Sequence, residues 1–307
     1  MSKRELSGEE EFLERLVARR LLVPSGVAGV YGRGRYFEEV ALAFDALITR
    51  ETAPDDAEFV RFPPVLPRHD LETSGYLASF PHLAGSVFGF AGDEAAAGTL
   101  AGQAAAHEDW SGSQTMTDLV LLPAACYPVY PWVAAAGRLP SDGRLVDVLC
   151  YCFRHEPSGD PARMQAFRQR ENVRIGRAED VEAWHESWIS RGLDVLASVG
   201  LTATVADAND AFFGRSGRML AASQREQRLK LELVYPIHPD GNPTAIMSIN
   251  YHQDHFGSDF GISTADGDVA HTACFGFGLE RIALALFRAH GLDLEEWPDE
   301  IRSRLLG

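Results

Sequence analysis

A charged segment in the middle of the chain combines residue types that bind nucleotides. It begins as Phe153-Arg-His-Glu156, turns, and returns as Arg163-Met-Gln-Ala-Phe167-Arg-Gln-Arg-Glu171. Arginine can bridge phosphate oxygens with two hydrogen bonds, and a carboxylate can accept one from an exocyclic amine such as that of adenine. In an extended strand Arg154 and Glu156 would share one face, while Phe167 offers a ring for stacking. Spacing alone also fits an exposed, salt-bridged hairpin that binds nothing.

A glycine-rich segment, Phe275-Gly-Phe-Gly278-Leu-Glu-Arg281, opens an apolar helix later in the chain. Its small residues allow a backbone or a ligand to come close, and Arg281 lies about one turn into that helix. The pattern is not the GxGxxG fingerprint of dinucleotide binding, because no βαβ unit surrounds it. A glycine-rich helix start that merely packs against a sheet is the alternative.

The cysteines lack the short spacing that identifies a zinc site from sequence. Cys126 and Cys274 lie far apart, and each one alone is most simply a small buried residue. Cys150 and Cys152 are two residues apart on one predicted strand, and we assign both to the core. Disulfides are not expected in a cytoplasmic chain of this size.

Hydrophobic periodicity predicts an α+β fold. Helical spacing follows a capping box at Ser7 and covers residues 12–21, and further helices are predicted over 37–50, 179–198 and 279–290. Strands are predicted over 59–62, 145–155, 164–173, 229–237 and 244–251, with turns at 157–160 and 239–242. Antiparallel strands with segregated helices exclude a doubly wound sheet.

The composition is that of a globular protein with an acidic surface. The 307 residues carry a net charge of −16, which argues against a broad nucleic-acid surface. The stretch from Arg154 to Lys230 holds 12 basic and 11 acidic residues, so an anion is least repelled there. No apolar run approaches a membrane span, and neither a signal peptide nor a lipidation motif is present, so we expect a cytoplasmic protein without membrane contact.

Taken together, these motifs resemble the catalytic core of the class II aminoacyl-tRNA synthetases. Residues 153–156 and 163–171 look like the two strands of motif 2, and Gly276–Arg281 looks like motif 3. Phe59–Leu77 is a looser match to motif 1, which forms the two-fold interface in that class. The resemblance implies an antiparallel sheet flanked by helices and a homodimer. We therefore expect one catalytic domain over residues 1–307, with residues 1–30 as an appended N-terminal helix.

A narrower resemblance links the chain to the amino acid:[carrier protein] ligases, which are truncated homologues of the archaeal-type seryl-tRNA synthetases. Cys126, Glu171 and Cys274 resemble the zinc ligands of those synthetases. The segments 207–220 and 248–257 look like those of the ligases. The resemblance implies one Zn²⁺ per chain with a fourth position open to the α-amino group of the substrate.

The same resemblance assigns roles to individual residues. Arg154 would contact the α-phosphate and the substrate carboxylate, and Arg281 would contact the γ-phosphate, so these two are the catalytic candidates. The other implied ATP-binding residues are Glu156, Arg163, Met164, Phe167, Lys230, Ala245, Ile246, Met247 and Ser248, and the implied amino-acid contacts are Glu171 and Asn250, with His252 beside it. Ala245 stands where many class II enzymes place a glutamate that binds Mg²⁺, and Glu232 is a substitute.

The implied reaction is ATP-dependent activation of a small amino acid as its adenylate, followed by transfer to the phosphopantetheine thiol of a carrier protein. Such carriers are acidic, and the basic residues that could meet one are Arg215, Arg218, Arg225 and Arg228. Motif 1 begins within about 60 residues of Met1, so we expect no tRNA-binding domain and no tRNA partner. Two alternatives stay open: a synthetase that uses a separate tRNA-binding chain, and a non-catalytic synthetase paralogue.

Overall fold

The computed structural model describes residues 8–208, 229–238 and 243–307. Its helices are α1 (Gly8–Ala18), α2 (Arg35–Thr52), α3 (Arg68–Thr73), α4 (Tyr76–Ser79), α5 (Glu94–Ala105), α6 (Val129–Ala135), α7 (Ala178–Ala197), α8 (His255–Phe260), α9 (Leu279–His290) and α10 (Asp299–Leu306). Its strands are β1 (Leu22–Pro24), β2 (Tyr31–Arg33), β3 (Glu58–Val60), β4 (Val65–Pro67), β5 (Ser86–Phe90), β6 (Gln114–Leu121), β7 (Arg144–Phe153), β8 (Ala166–Gly176), β9 (Thr204–Asp207), β10 (Lys230–Tyr235), β11 (Thr244–Gln253) and β12 (His271–Gly278).

A large sheet forms the centre of the fold. Among the described residues it has seven strands in the order β3-β7-β8-β12-β11-β10-β9. Every neighbouring pair is antiparallel except β3 and β7, which run parallel. Two smaller sheets accompany it, the β1-β2 hairpin and the three-stranded sheet β4-β6-β5. This arrangement confirms the α+β class predicted from the sequence.

The central sheet separates two different environments, because side chains alternate between its faces. On one face Phe275 and Phe277 of β12 pack against α7 and α2, through Trp188 and Phe44 respectively. The same face receives α9, whose apolar residues belong to the same buried cluster. The opposite face carries Glu171, two residues along β8 from Gln169, and opens into a cavity. One face of the sheet is therefore covered by helices, and part of the other face lines the cavity.

Most predicted elements are confirmed, with boundaries shifted by a few residues. The helices α1, α2, α7 and α9 and the strands β7, β8, β10 and β11 all occur where periodicity indicated them. Strand β12 was missed, because its glycines were interpreted only as the opening of the following helix. The cap at Ser7 and the turn at 239–242 lie outside the described residues. No helix in the described ranges combines the length and the apolar character needed to cross a bilayer.

Candidate active site

One cavity of about 650 Å³ collects every residue that the sequence analysis proposed for the site. A volume of this size is typical of sites that bind small molecules. The lining includes Cys126, Arg154, Glu156, Arg163, Met164, Phe167, Glu171, Lys230, Ala245, Ile246, Met247, Ser248, Asn250, Cys274 and Arg281. The side chains of Ile246 and Met247 are buried in the core. The proposed residues come from distant parts of the chain, and the sheet brings them together.

Arg154 is held beside the aromatic ring that sequence analysis paired with it. Its Nε donates a hydrogen bond of 3.0 Å to the carbonyl of Pro123, and its guanidinium carbon lies 5.4 Å from the centre of the Phe167 ring. The expectation that Arg154 and Glu156 share a strand face was wrong, because β7 ends at Phe153. Instead the backbone of Arg154 pairs with Gln165 and that of Glu156 turns back onto Arg154.

Arg281 enters the cavity from the first turn of α9. Its Nε donates to the carbonyl of Ala162 at 2.8 Å, and its Nη1 donates to the carbonyl of Ala245 at 3.0 Å. Burial and the nearby positive charge of Arg154 lower the pKa of this guanidinium. The two arginines therefore repel each other across the cavity, and an anionic ligand between them would relieve that repulsion.

Further charged residues line the cavity. Arg163 is 60% exposed and lies 3.9 Å from the Glu156 carboxylate. Lys230 and Glu232 form a pair with 3.4 Å between Nζ and Oε1. Glu232 also stands opposite Ser248 in the β10–β11 ladder. The Arg163 side chain is thus largely exposed, whereas Arg154 and Arg281 are held by hydrogen bonds to backbone carbonyls.

The closed end of the cavity holds two cysteines and one glutamate. The side chains of Cys126, Glu171 and Cys274 are only 3–5% exposed, and their donor atoms all lie within 4.8 Å of one another. A hydrogen bond from Cys126 holds the pKa of Cys274 well below its usual range, with smaller contributions from His252 and Asn250. That same hydrogen bond, with burial, raises the pKa of Cys126, and burial raises the pKa of Glu171.

This donor set fits a metal ion. One carboxylate oxygen of Glu171, Oε2, is buried without a hydrogen-bond partner among the described residues. A buried polar atom left in that state is costly, and a cation would satisfy it. Two sulfurs and one carboxylate oxygen are ligands that Zn²⁺ accepts, and three protein ligands leave a coordination position for a substrate.

Comparison with curated proteins decides the family. The chain is 46% identical over 289 residues to "Amino acid--[acyl-carrier-protein] ligase 2" of Bradyrhizobium diazoefficiens, covering 94% of this chain and 86% of that protein. Ligase 1 of the same organism is also 46% identical, with 88% of its length covered. The chain belongs to the family of amino acid–[acyl-carrier-protein] ligases. A scan against models of known protein families finds no match.

This ligase-family member is also similar, more distantly, to seryl-tRNA synthetases. The type-2 serine–tRNA ligase of Methanopyrus kandleri is 28% identical over 200 residues, which cover 61% of this chain and 37% of that protein. Among solved structures, the SerRS of M. kandleri in complex with A. aeolicus tRNASec gives a TM-score of 0.82 at 20% identity. The Pyrococcus horikoshii seryl-tRNA synthetase complexed with ATP gives 0.71 at 14% identity.

These structural matches show a class II synthetase fold in this member of the ligase family. Both cover 99% of this chain, but the chain spans only 62% and 64% of the two synthetase chains. The predicted fold class is therefore confirmed over almost the whole chain.

Gly276 supports this ligase-family site in a way that was not found from the sequence, whereas Asn250 and His252 were named there. Gly276 stands opposite Glu171 in the sheet, and a Cβ there would lie 2.8 Å from Glu171 Cγ, so only glycine leaves room for that carboxylate. Asn250 Nδ2 donates to Cys274 Sγ at 3.5 Å, and His252 Nε2 lies 3.8 Å from the same sulfur. The available signal for Gly276 was its position two residues after Cys274, a predicted metal ligand. The proposed carrier-docking residues between 215 and 228 lie outside the described residues.

Proposed function

We propose that this chain activates a small amino acid with ATP and transfers it to the phosphopantetheine thiol of a carrier protein. The observation that carries the proposal is the cavity of this ligase-family member. It is lined by Arg154 and Arg281 and also by the cluster of Cys126, Glu171 and Cys274. The family members from B. diazoefficiens are named for ligation of an amino acid to an acyl carrier protein.

In the first step an amino-acid carboxylate oxygen attacks the α-phosphorus of ATP, and pyrophosphate leaves. Arg154 would bind the carboxylate and the α-phosphate together, which aligns them and offsets their negative charges. Phe167 and Arg281 would hold the adenine between them, and Glu156 would accept a hydrogen bond from its amine. Arg163 and Met164 would cover the triphosphate, Lys230 would reach toward it, and the 245–248 strand would line the ribose and phosphates.

Magnesium would accompany ATP, held by phosphates, water and Glu232. Ala245 offers no side-chain oxygen, whereas Glu232 lines the cavity and stands opposite Ser248 in the β10–β11 ladder. Mg²⁺ often keeps several waters and uses few protein carboxylates, so one acidic residue suffices.

In the second step a thiol sulfur attacks the carbonyl carbon of the adenylate, AMP leaves, and the thiol proton passes to solvent. A thioester of the amino acid results. The closed end of the cavity would hold the substrate's amino end, with Cys126, Glu171 and Cys274 as ligands of Zn²⁺ and Asn250 beside them. When bound, zinc would anchor the neutral α-amino group as a Lewis acid.

The zinc proposal is tested by metal content. Cys274→Ala should lose bound zinc, because it removes the thiol whose pKa is already lowered in the protein. Cys150→Ala is the matched control, since Cys150 is equally buried but lies outside the three-residue cluster. Zinc would be counted by native mass spectrometry of the purified chain. A full zinc content in Cys274→Ala would contradict the assignment.

The acceptor is tested by offering three substrates to the same enzyme. A holo acyl carrier protein should be loaded with labelled glycine, alanine or serine in the presence of ATP, whereas its apo form, which lacks the arm, should not. Total tRNA is the third acceptor, because the similarity to type-2 serine–tRNA ligases makes tRNA charging the alternative function. Charging of tRNA without loading of the holo carrier would replace the proposal with that alternative.

Pyrophosphate exchange separates an enzyme from a non-catalytic paralogue. The two arginines, the adenine-binding residues and all three metal-type ligands are present around one cavity, which favours an active enzyme. Amino-acid-dependent exchange is expected, and its absence with every amino acid would support the paralogue.

We also propose the domain organisation, cellular location, carrier contact and oligomeric state of the enzyme. We treat residues 1–307 as one catalytic domain, supported by contacts of Ala28 and Gly29 with the edge of the ATP-binding half. Free thiols at all four cysteines support a cytoplasmic location. An acidic carrier would meet Arg215, Arg218, Arg225 and Arg228, a patch supported by sequence alone. Exposed apolar residues in and around Phe59–Leu77 support a homodimer.

A further inference from the structure

A second group of metal-type ligands lies outside the cavity, where α1 meets the loop between β7 and β8. It consists of Glu9 of α1, Asp160 of that loop, and His238 beyond the end of β10. One ligand atom from each residue lies within 4.8 Å of the others. None of the three lines the cavity of the candidate active site. Three separate segments therefore converge on one point.

His238 is the feature that indicates a ligand. Its side chain is only 3% exposed, and neither ring nitrogen makes a hydrogen bond with the described residues. The ring packs edge-on against Phe12 of α1, with 6.2 Å between centroids, and its Nε2 lies 2.9 Å from Asp160 Oδ1. A buried imidazole without hydrogen bonds is costly, and here the ring lies close to a carboxylate without forming one.

The charges around the cluster suit a cation. Glu9 is exposed and Asp160 is partly buried, so the cluster joins two carboxylates to one imidazole. Asp160 Oδ1 accepts the Ala162 N–H at 2.7 Å, which fixes the carboxylate in place. Arg163 Nε lies 3.7 Å from Asp160 Oδ2, but this side chain is largely exposed and can turn toward the cavity.

We propose that Glu9, Asp160 and His238 bind a divalent transition-metal ion. An imidazole nitrogen and carboxylate oxygens without sulfur suit Mn²⁺, Co²⁺ or Zn²⁺. Bound there, the ion fastens the β7–β8 loop to α1, and that loop carries Glu156 and Arg163. The site is separate from the cysteine–glutamate cluster and does not depend on the proposed function. A proton shared between His238 and the two carboxylates is the competing occupant.

Manganese is the probe that separates this site from the cysteine-containing one, because Mn²⁺ prefers oxygen and nitrogen ligands to thiolates. The full chain, supplied with one equivalent of Zn²⁺ and free of nucleotide, would be titrated with Mn²⁺ while electron paramagnetic resonance measures the free ion, because a single equivalent of zinc goes first to the thiolate-containing cluster. The wild-type chain should bind Mn²⁺ in this assay. Loss of one ligand in Glu9→Gln or His238→Gln should weaken that binding at least about tenfold.

The control variant is Glu11→Gln, which removes the same charge from an exposed position on the same helix turn. Its Mn²⁺ affinity should equal that of the wild type. Glu9 is exposed, so Glu9→Gln keeps the test valid even if the buried His238→Gln fails to fold. Hydrogen exchange over residues 157–163 should slow on addition of Mn²⁺ in the wild type and not in Glu9→Gln. Absence of Mn²⁺ binding, or binding unchanged in Glu9→Gln, would overturn the proposal.

Discussion

Arg154 shows how one side chain is prepared for a ligand before the ligand arrives. The carbonyl of Pro123 and the ring of Phe167 constrain its guanidinium from two directions. A charge that is held in position in this way can stabilise a transition state without the cost of reorganisation. Arg281 is constrained in the same way by the carbonyls of Ala162 and Ala245.

Replacement of Arg154 by Ala should lower the rate of amino-acid-dependent pyrophosphate exchange by about 10²–10³-fold. The reason is that loss of one oriented donor at a developing charge commonly costs about 3–4 kcal/mol. Arg138→Ala is the control, since Arg138 is exposed and does not line the cavity. Circular dichroism should show the same fold in both variants. An exchange rate that Arg154→Ala leaves unchanged would remove Arg154 from the reaction.

Residue types were the part of the site that sequence could predict. Sequence analysis could propose the arginines, Phe167 and the cysteine–glutamate cluster, because residue types and their spacing along the chain can be compared directly with those of a family. The backbone carbonyls that hold the arginines were not, because any residue supplies a carbonyl. Arg154 and Glu156 were expected to share one strand face, but β7 ends at Phe153, and the backbone of Arg154 pairs with Gln165 beyond that end.

At the scale of elements, the N-terminal β1–β2 hairpin supports the end of the cavity that holds Phe167 and Arg281. The backbone N–H of Gln165 donates to Gly29, and its side chain donates to the carbonyl of Ala28 at 2.8 Å. From β2, Arg33 donates to the carbonyl of Ala166 at 2.8 Å and lies 3.0 Å from the buried carboxylate of Glu280. These contacts end next to Phe167 and Arg281, so this segment is more than an appended helix.

Arg33→Met should raise the KM for ATP about fivefold with little change in kcat. Arg33 does not itself line the cavity. Loss of its hydrogen bond to Ala166, worth about 1 kcal/mol, would loosen the strand that carries Phe167. Arg35→Met, which changes an exposed arginine two residues along, is the control. Steady-state kinetics well below the melting temperature would measure both constants. A lower melting temperature with an unchanged KM would mean that Arg33 serves stability alone.

Elements with a regular hydrophobic period were predicted well. Helix α2 was expected over 37–50 and runs from Arg35 to Thr52, and the apolar residues Val40, Phe44, Leu47 and Ile48 at helical spacing are all buried. Strand β12 was missed because Gly276 and Gly278 are weak strand formers, and their use there is set by the facing Glu171 and by the start of α9. That requirement comes from a neighbouring strand about 100 residues away, which no local pattern records.

At the scale of the whole molecule, the three-stranded sheet was the main feature without a sequence signal. Its strands β5 and β6 flank α5, a helix with no buried residues in an Ala- and Gly-rich stretch. Large apolar side chains are exposed on its strands at Phe88, Phe90, Met116 and Leu119, and in the motif 1 segment at Phe59 and Leu77, at 41–65% exposure. Exposed apolar residues in such numbers indicate an interaction site.

We expect this surface to form the two-fold contact of a homodimer. The resemblance of Phe59–Leu77 to motif 1 predicts the same contact, and an isologous interface is the commonest way for two identical chains to close. Sedimentation velocity at micromolar concentration should therefore give twice the chain mass of 33.6 kDa. Leu77→Glu should shift the protein toward monomer. The two-fold contact would bury one new carboxylate from each chain, and burial of an unpaired charge is unfavourable.

Leu42→Glu is the matched control for that variant. Leu42 is also exposed, at 54%, but it lies on α2 away from the motif 1 segment. It should therefore leave the dimer intact while it changes net charge and surface apolarity by the same amounts. A wild-type chain that sediments as a monomer would exclude the dimer. A dimer that resists Leu77→Glu but dissociates with Leu42→Glu would move the interface from the motif 1 segment to α2.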